Sequence, residues 1–265
     1  MLHSDTPLIE LEQDARGVAR LTLSDPTRFN VLGEPMLQAL QKTLDALAQD
    51  NSLRVLILAA KGKAFCAGHN LKEMAENAEL AYYQQLFSQC SRVMLAIKNL
   101  PVPVIARVQG IATAAGCQLV AQCDLAVASE DARFATSGIN YGLFCATPSV
   151  PLIRVMPVKN AMEMLLTGEF IHAQRAEQLG LVNRVVPAAE LDAALEELVQ
   201  SILAKPRAAI ALGKALVYRQ KEMGLEAAYQ LAGQTMAVNM MDEDAQEGAK
   251  AFVEKRKPCW PGSIN

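Results

Sequence analysis

Side chains able to act on a substrate gather in two stretches of this chain. The first holds His69 with Asn70 beside it; the second holds Thr113, Gln118, Asn140, Tyr141 and Cys145. Both stretches are rich in small residues, at Cys66-Ala67-Gly68 and at Thr113-Ala114-Ala115-Gly116. Main chain can approach a bound molecule closely at such places. Pro103-Val104-Ile105-Ala106 reads as a short buried strand behind a proline. Gln109-Gly110 is a turn signal, Cys117–Ala121 can open a helix, and Asp124–Ala128 is a second short apolar strand. A strand, a small-residue turn and a helix N-terminus leave unpaired N–H groups at one concave spot. That arrangement suits an oxygen that carries or develops negative charge.

Such a spot needs a scaffold. Leu8–Leu11 and Val18–Leu23 alternate as two strands about a turn at Asp14–Gly17. Glu34–Gln49 places Met36, Leu37, Leu40, Leu44 and Leu47 at helical spacing. Arg54–Ala60 reads as a buried strand of the parallel kind. Leu71 opens a short helix, and Leu80–Leu100 is a long one ended by Pro101. Arg133–Phe144 reads as irregular; helices follow over Thr147–Met156, Val158–Leu166 and Ala173–Leu179, then a strand over Leu181–Val186. From Glu190 the chain reads as helix broken near Pro206, Gly224 and Asp242. Strands alternating with helices predict an α/β core of βαβ crossovers, with a helical C-terminal region. The expected division is 1–200 for the core and 201–265 for the helical region.

Composition narrows the function classes. The 265 residues are 51% hydrophobic and 20% charged, with a net charge of −3. A sizeable core is expected and a disordered chain is not. No long basic run points to nucleic acid, and no apolar run is long enough to span a membrane. The six cysteines, at 66, 90, 117, 123, 145 and 259, form no metal-like CxxC pair. They read as reduced thiols, and no metal site is expected. The N-terminal stretch lacks the pattern of a secretory signal, so a cytoplasmic location is expected. Cys66, Cys117 and Cys145 read mainly as packing residues, since a reactive thiolate needs a cationic neighbour. His3 and His172 read as surface or structural residues.

Four motifs in order carry a family resemblance. FCAGHNLKEM (65–74) resembles the FxAGxDLKEM signature of the crotonase, or enoyl-CoA hydratase/isomerase, superfamily. GIATAAGCQLVAQCDLAVAS (110–129) resembles its GxAxGGGxELxxxCDxxxA signature. MEMLLTGEFIHAQRAEQLGLVNRVVP (162–187) and AFVEKRKP (251–258) resemble its later segments. The resemblance runs from about Leu8 to Pro258. It implies a spiral of ββα turns, followed by a helical trimerisation region and assembly as a trimer or dimer of trimers. It also implies an acyl-CoA thioester as ligand, with coenzyme A as part of the substrate and no separate cofactor. The main-chain N–H groups of His69 and Ala115 would then form an oxyanion hole, in keeping with their places between strand and helix. Arg28, Phe29, Cys66, Ala67, Gly68, Lys72, Phe252 and Lys255 are the implied CoA contacts, with lysine suited to phosphate.

The chain departs from the family pattern where a hydratase needs two glutamates. Gln118 stands at the first position and Gly138 at the second. An amide takes no proton at neutral pH, and glycine has no side chain. One acid–base residue is worth roughly 10²–10⁴-fold, so losing both argues against hydration. This resembles the subgroup of enoyl-CoA hydratase domain-containing proteins whose glutamates are replaced. Three readings follow: a thioester enzyme whose reaction needs no glutamate pair, a non-catalytic acyl-CoA binder or regulator, and a malonyl-type decarboxylase related through the AGH of Ala67–His69. Installing Gln118→Glu with Gly138→Glu is expected to restore weak crotonyl-CoA hydration.

Overall fold

The computed structural model describes residues 7–260. The start of the N-terminal stretch read above for a signal, and His3, lie outside the described residues.

The strand at Val55–Ala60 (β3) is VLILAA, and all six residues are buried. It runs parallel to Val18–Leu23 (β2) on one side and to Val104–Val108 (β5) on the other. A strand flanked and covered in this way reads as one continuous apolar run. With Ile9–Gln13 (β1), Leu125–Ser129 (β7) and Arg184–Val186 (β10) they form a six-stranded sheet, ordered β1-β2-β3-β5-β7-β10. Only the β1–β2 hairpin is antiparallel.

A second, four-stranded sheet contains Ala64–Cys66 (β4), Ile111–Thr113 (β6), Arg133–Ala135 (β8) and Ile171–His172 (β9). Each long strand β3, β5 and β7 is followed after a tight connection by a short strand of this sheet. The helices Leu71–Glu76 (α2) and Leu80–Asn99 (α3) follow β4, and Ala115–Gln122 (α4) follows β6. The result is the expected spiral of ββα turns. The turns stack closely: a Cβ at Gly110 would lie 2.0 Å from the carbonyl of Lys63, one turn earlier.

The sequence reading needs correction at these short strands. Arg133–Phe144 is not wholly irregular, since β8 opens it and a 3-10 turn covers Ser137–Tyr141. The final strand is shorter than the expected 181–186. Strands of two or three residues lie below the length at which alternation is legible. Pairing with a stacked neighbour makes them, not local propensity.

Glu34–Ala48 (α1) buries the five apolar residues expected of it. Ala146–Val155 (α5), Val158–Thr167 (α6) and Ala173–Gln178 (α7) follow the second sheet's strands. Two compact units emerge. One comprises the residues up to Leu100 with Val104–Glu197, and the other comprises Pro101–Pro103 and the chain from Leu198 on. The division falls within Leu191–Leu203 (α8). In the second unit, Arg207–Gln220 (α9) packs on Leu225–Asn239 (α10). Lys214 of α9 donates to the Val102 carbonyl at 2.9 Å. In Glu243–Val253 (α11), Glu247 pairs with Arg256, and Trp260 donates to Ala204.

Candidate functional site

The α4 helix begins immediately beyond β6, so its first turn has free N–H groups. Ala114 is the N-cap and receives the Gln118 N–H at 3.1 Å. Ala114 lies at φ 50° and ψ −121°, a region that non-glycine residues seldom enter. Pairing fixes it there, because its own N–H donates to Ala135 at 3.0 Å. The turn delivers the Ala115 N–H pointing out of the helix, with no acceptor among the described residues.

The second N–H comes from the β4–α2 connection. Gly68 adopts φ +92°, and its carbonyl accepts from Leu32 at 2.8 Å. A Cβ on Gly68 would lie 2.8 Å from the Ala114 Cβ and 3.3 Å from the Ala115 nitrogen. The two connections therefore touch at Gly68, and His69 is the next residue. The His69 N–H also has no acceptor among the described residues. Gly116 seats α4 against β4, since a Cβ there would lie 2.1 Å from the Cys66 carbonyl.

Both donors line a cavity of about 470 Å³. Its wall is mostly apolar, with Leu71, Phe87, Leu143, Phe144 and Phe170 prominent. One polar pair interrupts it: Thr113 Oγ1 and Ser137 Oγ lie 2.7 Å apart. Asn140 and Tyr141 line the cavity as well, and Tyr141 is 74% exposed.

The His69 ring packs edge-on against Phe87, with centroids 5.3 Å apart. Its Nδ1 lies 2.9 Å from the Leu32 carbonyl. Nε2 is buried with no partner among the described residues. Burial pushes this imidazole below its usual value, against the opposing pull of the Leu32 carbonyl and the Glu73 carboxylate. Glu73 is fully engaged: it accepts from Tyr82 Oη at 2.9 Å, from the Glu34 N–H at 3.2 Å and from the Asn70 amide at 3.3 Å. The carboxylate thus ties α1, α2 and α3 together beside the histidine.

The two former glutamate positions differ in fate. Gly138 lines the cavity. Gln118 is 4% exposed, does not line it, and has an Oε1 without a partner among the described residues. Gly138 is more than a truncated side chain. A Cβ there would lie 2.6 Å from the Leu143 carbonyl and 2.8 Å from Cys145 Sγ. The following turn has closed onto the position, sealed by Leu143 N–H to Gly138 O at 3.0 Å. This revises the expectation that restored carboxylates would hydrate crotonyl-CoA, because the space for a side chain at 138 is filled.

Cys66, Cys117 and Cys145 behave as packing thiols, whereas Cys259 is exposed. Burial pushes Cys66 and Cys117 up to about 12. Burial also raises Cys145, with the Gly138 N–H acting against it. A thiolate nucleophile requires the opposite environment.

The expected CoA contacts are scattered more widely. Arg28 pairs with Asp25 at 2.7 Å, and Phe29 is 54% exposed. Arg28 and Lys72 share a second depression with Asn70, Glu73 and Glu76. Cys66 is buried, and Ala67 spends its N–H on the Phe29 carbonyl at 3.0 Å. Phe252, on α11, is 85% exposed, and Lys255 follows it at φ 56°. Sequence reasoning missed Ser137, Phe87 and Phe170. Phe87 lies off the buried stripe of α3, a signal that was available. Ser137 lies two residues beyond Ala135, the register partner of Thr113, and only the sheet pairing reveals that.

A model of the enoyl-CoA hydratase/isomerase family matches residues 13–263. The chain belongs to the enoyl-CoA hydratase/isomerase family. It is 48% identical over 244 residues to human enoyl-CoA hydratase domain-containing protein 3, mitochondrial, covering 92% of this chain and 80% of that protein. The crystal structure of that human protein superposes with a TM-score of 0.92 at 47% identity, covering 96% of this chain and 100% of the other. A crystal structure of an enoyl-CoA hydratase from Mycobacterium smegmatis superposes with a TM-score of 0.95 at 60% identity, covering 96% and 99%. These matches establish the crotonase fold. They also correct the expected cytoplasmic location, since relatives from frog, mouse and human are named mitochondrial. Reduced thiols and composition describe a folded interior, whereas an address is read by a receptor from a short segment.

Proposed function

We propose that the cavity binds the acyl end of an acyl-CoA thioester and stabilises negative charge on its carbonyl oxygen, for a reaction that needs no glutamate pair. The pair of unengaged N–H groups at His69 and Ala115 carries this reading. Preorganised main-chain donors in an apolar site stabilise a developing oxyanion, and each is worth roughly 3–4 kcal/mol of barrier in other enzymes. Coenzyme A arrives as part of the substrate, with Arg28 and Lys72 as phosphate partners and Phe252 and Lys255 in the contact roles that the resemblance implies. Exposed Leu225, Tyr229 and Met236 on α10 support assembly with further copies as a trimer or dimer of trimers.

The test compares butyryl-CoA with its thioether analogue, which lacks only the carbonyl oxygen, by calorimetric titration. Two hydrogen bonds of about 1 kcal/mol each predict roughly 30-fold tighter binding of the thioester. Equal affinities would refute the oxyanion role. A second reading, binding without turnover, draws support from the closure of the chain over Gly138. Saturable binding with no reaction across a broad acyl-CoA panel would select it.

A further inference from the structure

Two hydroxyls, those of Thr113 and Ser137, stand together in the otherwise apolar wall of the cavity. Sheet pairing places them. Thr113 ends β6 opposite Ala135 of β8, and Ser137 follows Ala135 by two residues. Thr136, between them, is fully buried and donates its hydroxyl inward to the Met164 carbonyl at 2.7 Å. Ser137 opens the 3-10 turn and lines the cavity instead. The two oxygens then lie 2.7 Å apart. The backbone holds them in place, since the Ala114 N–H donates to Ala135 at 3.0 Å immediately beside the pair. Thr113 is also only two residues before Ala115, one of the two free N–H donors.

A count of protons shows what the pair lacks. Each hydroxyl carries one proton and two lone pairs. One proton is spent within the pair, whichever oxygen donates. The other has no acceptor among the described residues. The pair therefore offers one spare O–H together with spare lone pairs. A neutral ligand oxygen, as in a hydroxyl or a ketone, complements that set. A methylene in its place would leave the O–H without a partner. A carboxylate would accept the O–H, but among the described residues no lysine or arginine lines this cavity to balance its charge.

Resting on the proposed thioester site, we propose that Thr113 and Ser137 are specificity-determining residues that select acyl-CoA thioesters bearing a neutral oxygen on the acyl chain. Plain alkanoyl thioesters and thioesters ending in a carboxylate are disfavoured. A ligand hydroxyl donates to one oxygen of the pair and accepts the spare proton of the other. A ligand ketone takes the spare proton alone. Each protein hydroxyl fixes the orientation of its neighbour, so the two work as a unit. Because Thr113 lies so near Ala115 in the chain, the selected oxygen belongs within the first few carbons beyond the thioester. The pair acts on binding alone, and no covalent bond changes.

The experiment titrates the full chain calorimetrically with butyryl-CoA, both enantiomers of 3-hydroxybutyryl-CoA, 4-hydroxybutyryl-CoA and succinyl-CoA. The best hydroxybutyryl-CoA is expected to bind about 10-fold tighter than butyryl-CoA. Succinyl-CoA is expected to bind more weakly than butyryl-CoA. Thr113→Val with Ser137→Ala removes both hydroxyls with little change of shape, and should cut the preference to about twofold or less. Ser137→Ala alone, which leaves the buried strand intact, should reduce it by about 3-fold. A uniform loss of affinity for every probe, with the preference kept, would mark a packing role and overturn the proposal. So would hydroxybutyryl-CoAs that bind no tighter than butyryl-CoA, or succinyl-CoA binding tightest. Absence of binding by every thioester would overturn the proposed function, and this selection with it.

Discussion

The turn packed against Gly138 gives the most decisive perturbation. Gly138→Ala adds one methyl group at a point 2.6 Å from the Leu143 carbonyl and 2.8 Å from Cys145 Sγ. Ordinary contact begins at 3.4 Å, so the neighbours must retreat by about 0.8 and 0.6 Å. Neither neighbour moves freely. Leu143 is held by its N–H to Gly138 O, and Cys145 is the N-cap of α5, its carbonyl receiving Ser149 at 3.0 Å. Overpacking of this kind costs about 1–3 kcal/mol, and breaking the Leu143 bond adds about 1. The expected loss is about 3 kcal/mol, which for a chain of this size lowers Tm by about 6–12 °C in a calorimetric scan. Gly138→Glu with Gln118→Glu is expected to show no crotonyl-CoA hydration, since the added side chain meets backbone rather than substrate. A Gly138→Ala protein melting within 2 °C of wild type would refute the packing argument. So would a folded double mutant that hydrates crotonyl-CoA.

Ala114→Gly relieves a residue held at φ 50° and ψ −121°. Strain of about 2 kcal/mol, less about 1 for the greater freedom of glycine in the unfolded chain, predicts a Tm rise of about 2–4 °C. Asp192 bonds Arg107 at 2.6 Å and Arg20 at 3.0 Å, and these arginines, Arg107 foremost, lower its pKa from 3.8 to about 2. Its contribution is complete above pH 4 and lost as pH falls toward 2. Because the side chain is 58% exposed, Asp192→Asn should cost only about 1 kcal/mol at pH 7 and flatten acid unfolding over that interval. Tyr82→Phe removes a hydroxyl that bonds the Glu73 carboxylate, and burial with that carboxylate holds Tyr82 up at about 12. A loss of about 1.5 kcal/mol in urea unfolding is expected.

Legibility in the sequence followed burial and length. The helix α1 and the strand β3 were visible because their patterns persist for six residues or more. The second sheet was invisible: β4, β6 and β8 are three residues each, and neighbours one turn away in the spiral specify them. The α4 helix buries all of Ala115–Ala121, so it shows no polar face by which to recognise its period. The donors at His69 and Ala115 came from the family resemblance, with the strand–turn–helix pattern in agreement. What could not be read was the contact between the turns, above all the filled space at Gly138 and the saturated Glu73. These depend on atoms far apart in sequence, and glycine gives no sign of what has moved in beside it.

The two free amides have a consequence for genetics. They belong to the main chain, so substitution at His69 or Ala115 leaves them in place unless the new residue is proline. At Ala115 even proline is barred, because its ring requires an extended residue before it and Ala114 sits at ψ −121°. Ala115 is 1% exposed and the His69 ring packs on Phe87, so a saturation scan would register packing at both positions and leave the donors themselves unprobed. Only an atom-level edit exposes the role of Ala115, such as lactic acid in place of the alanine, turning one amide into an ester.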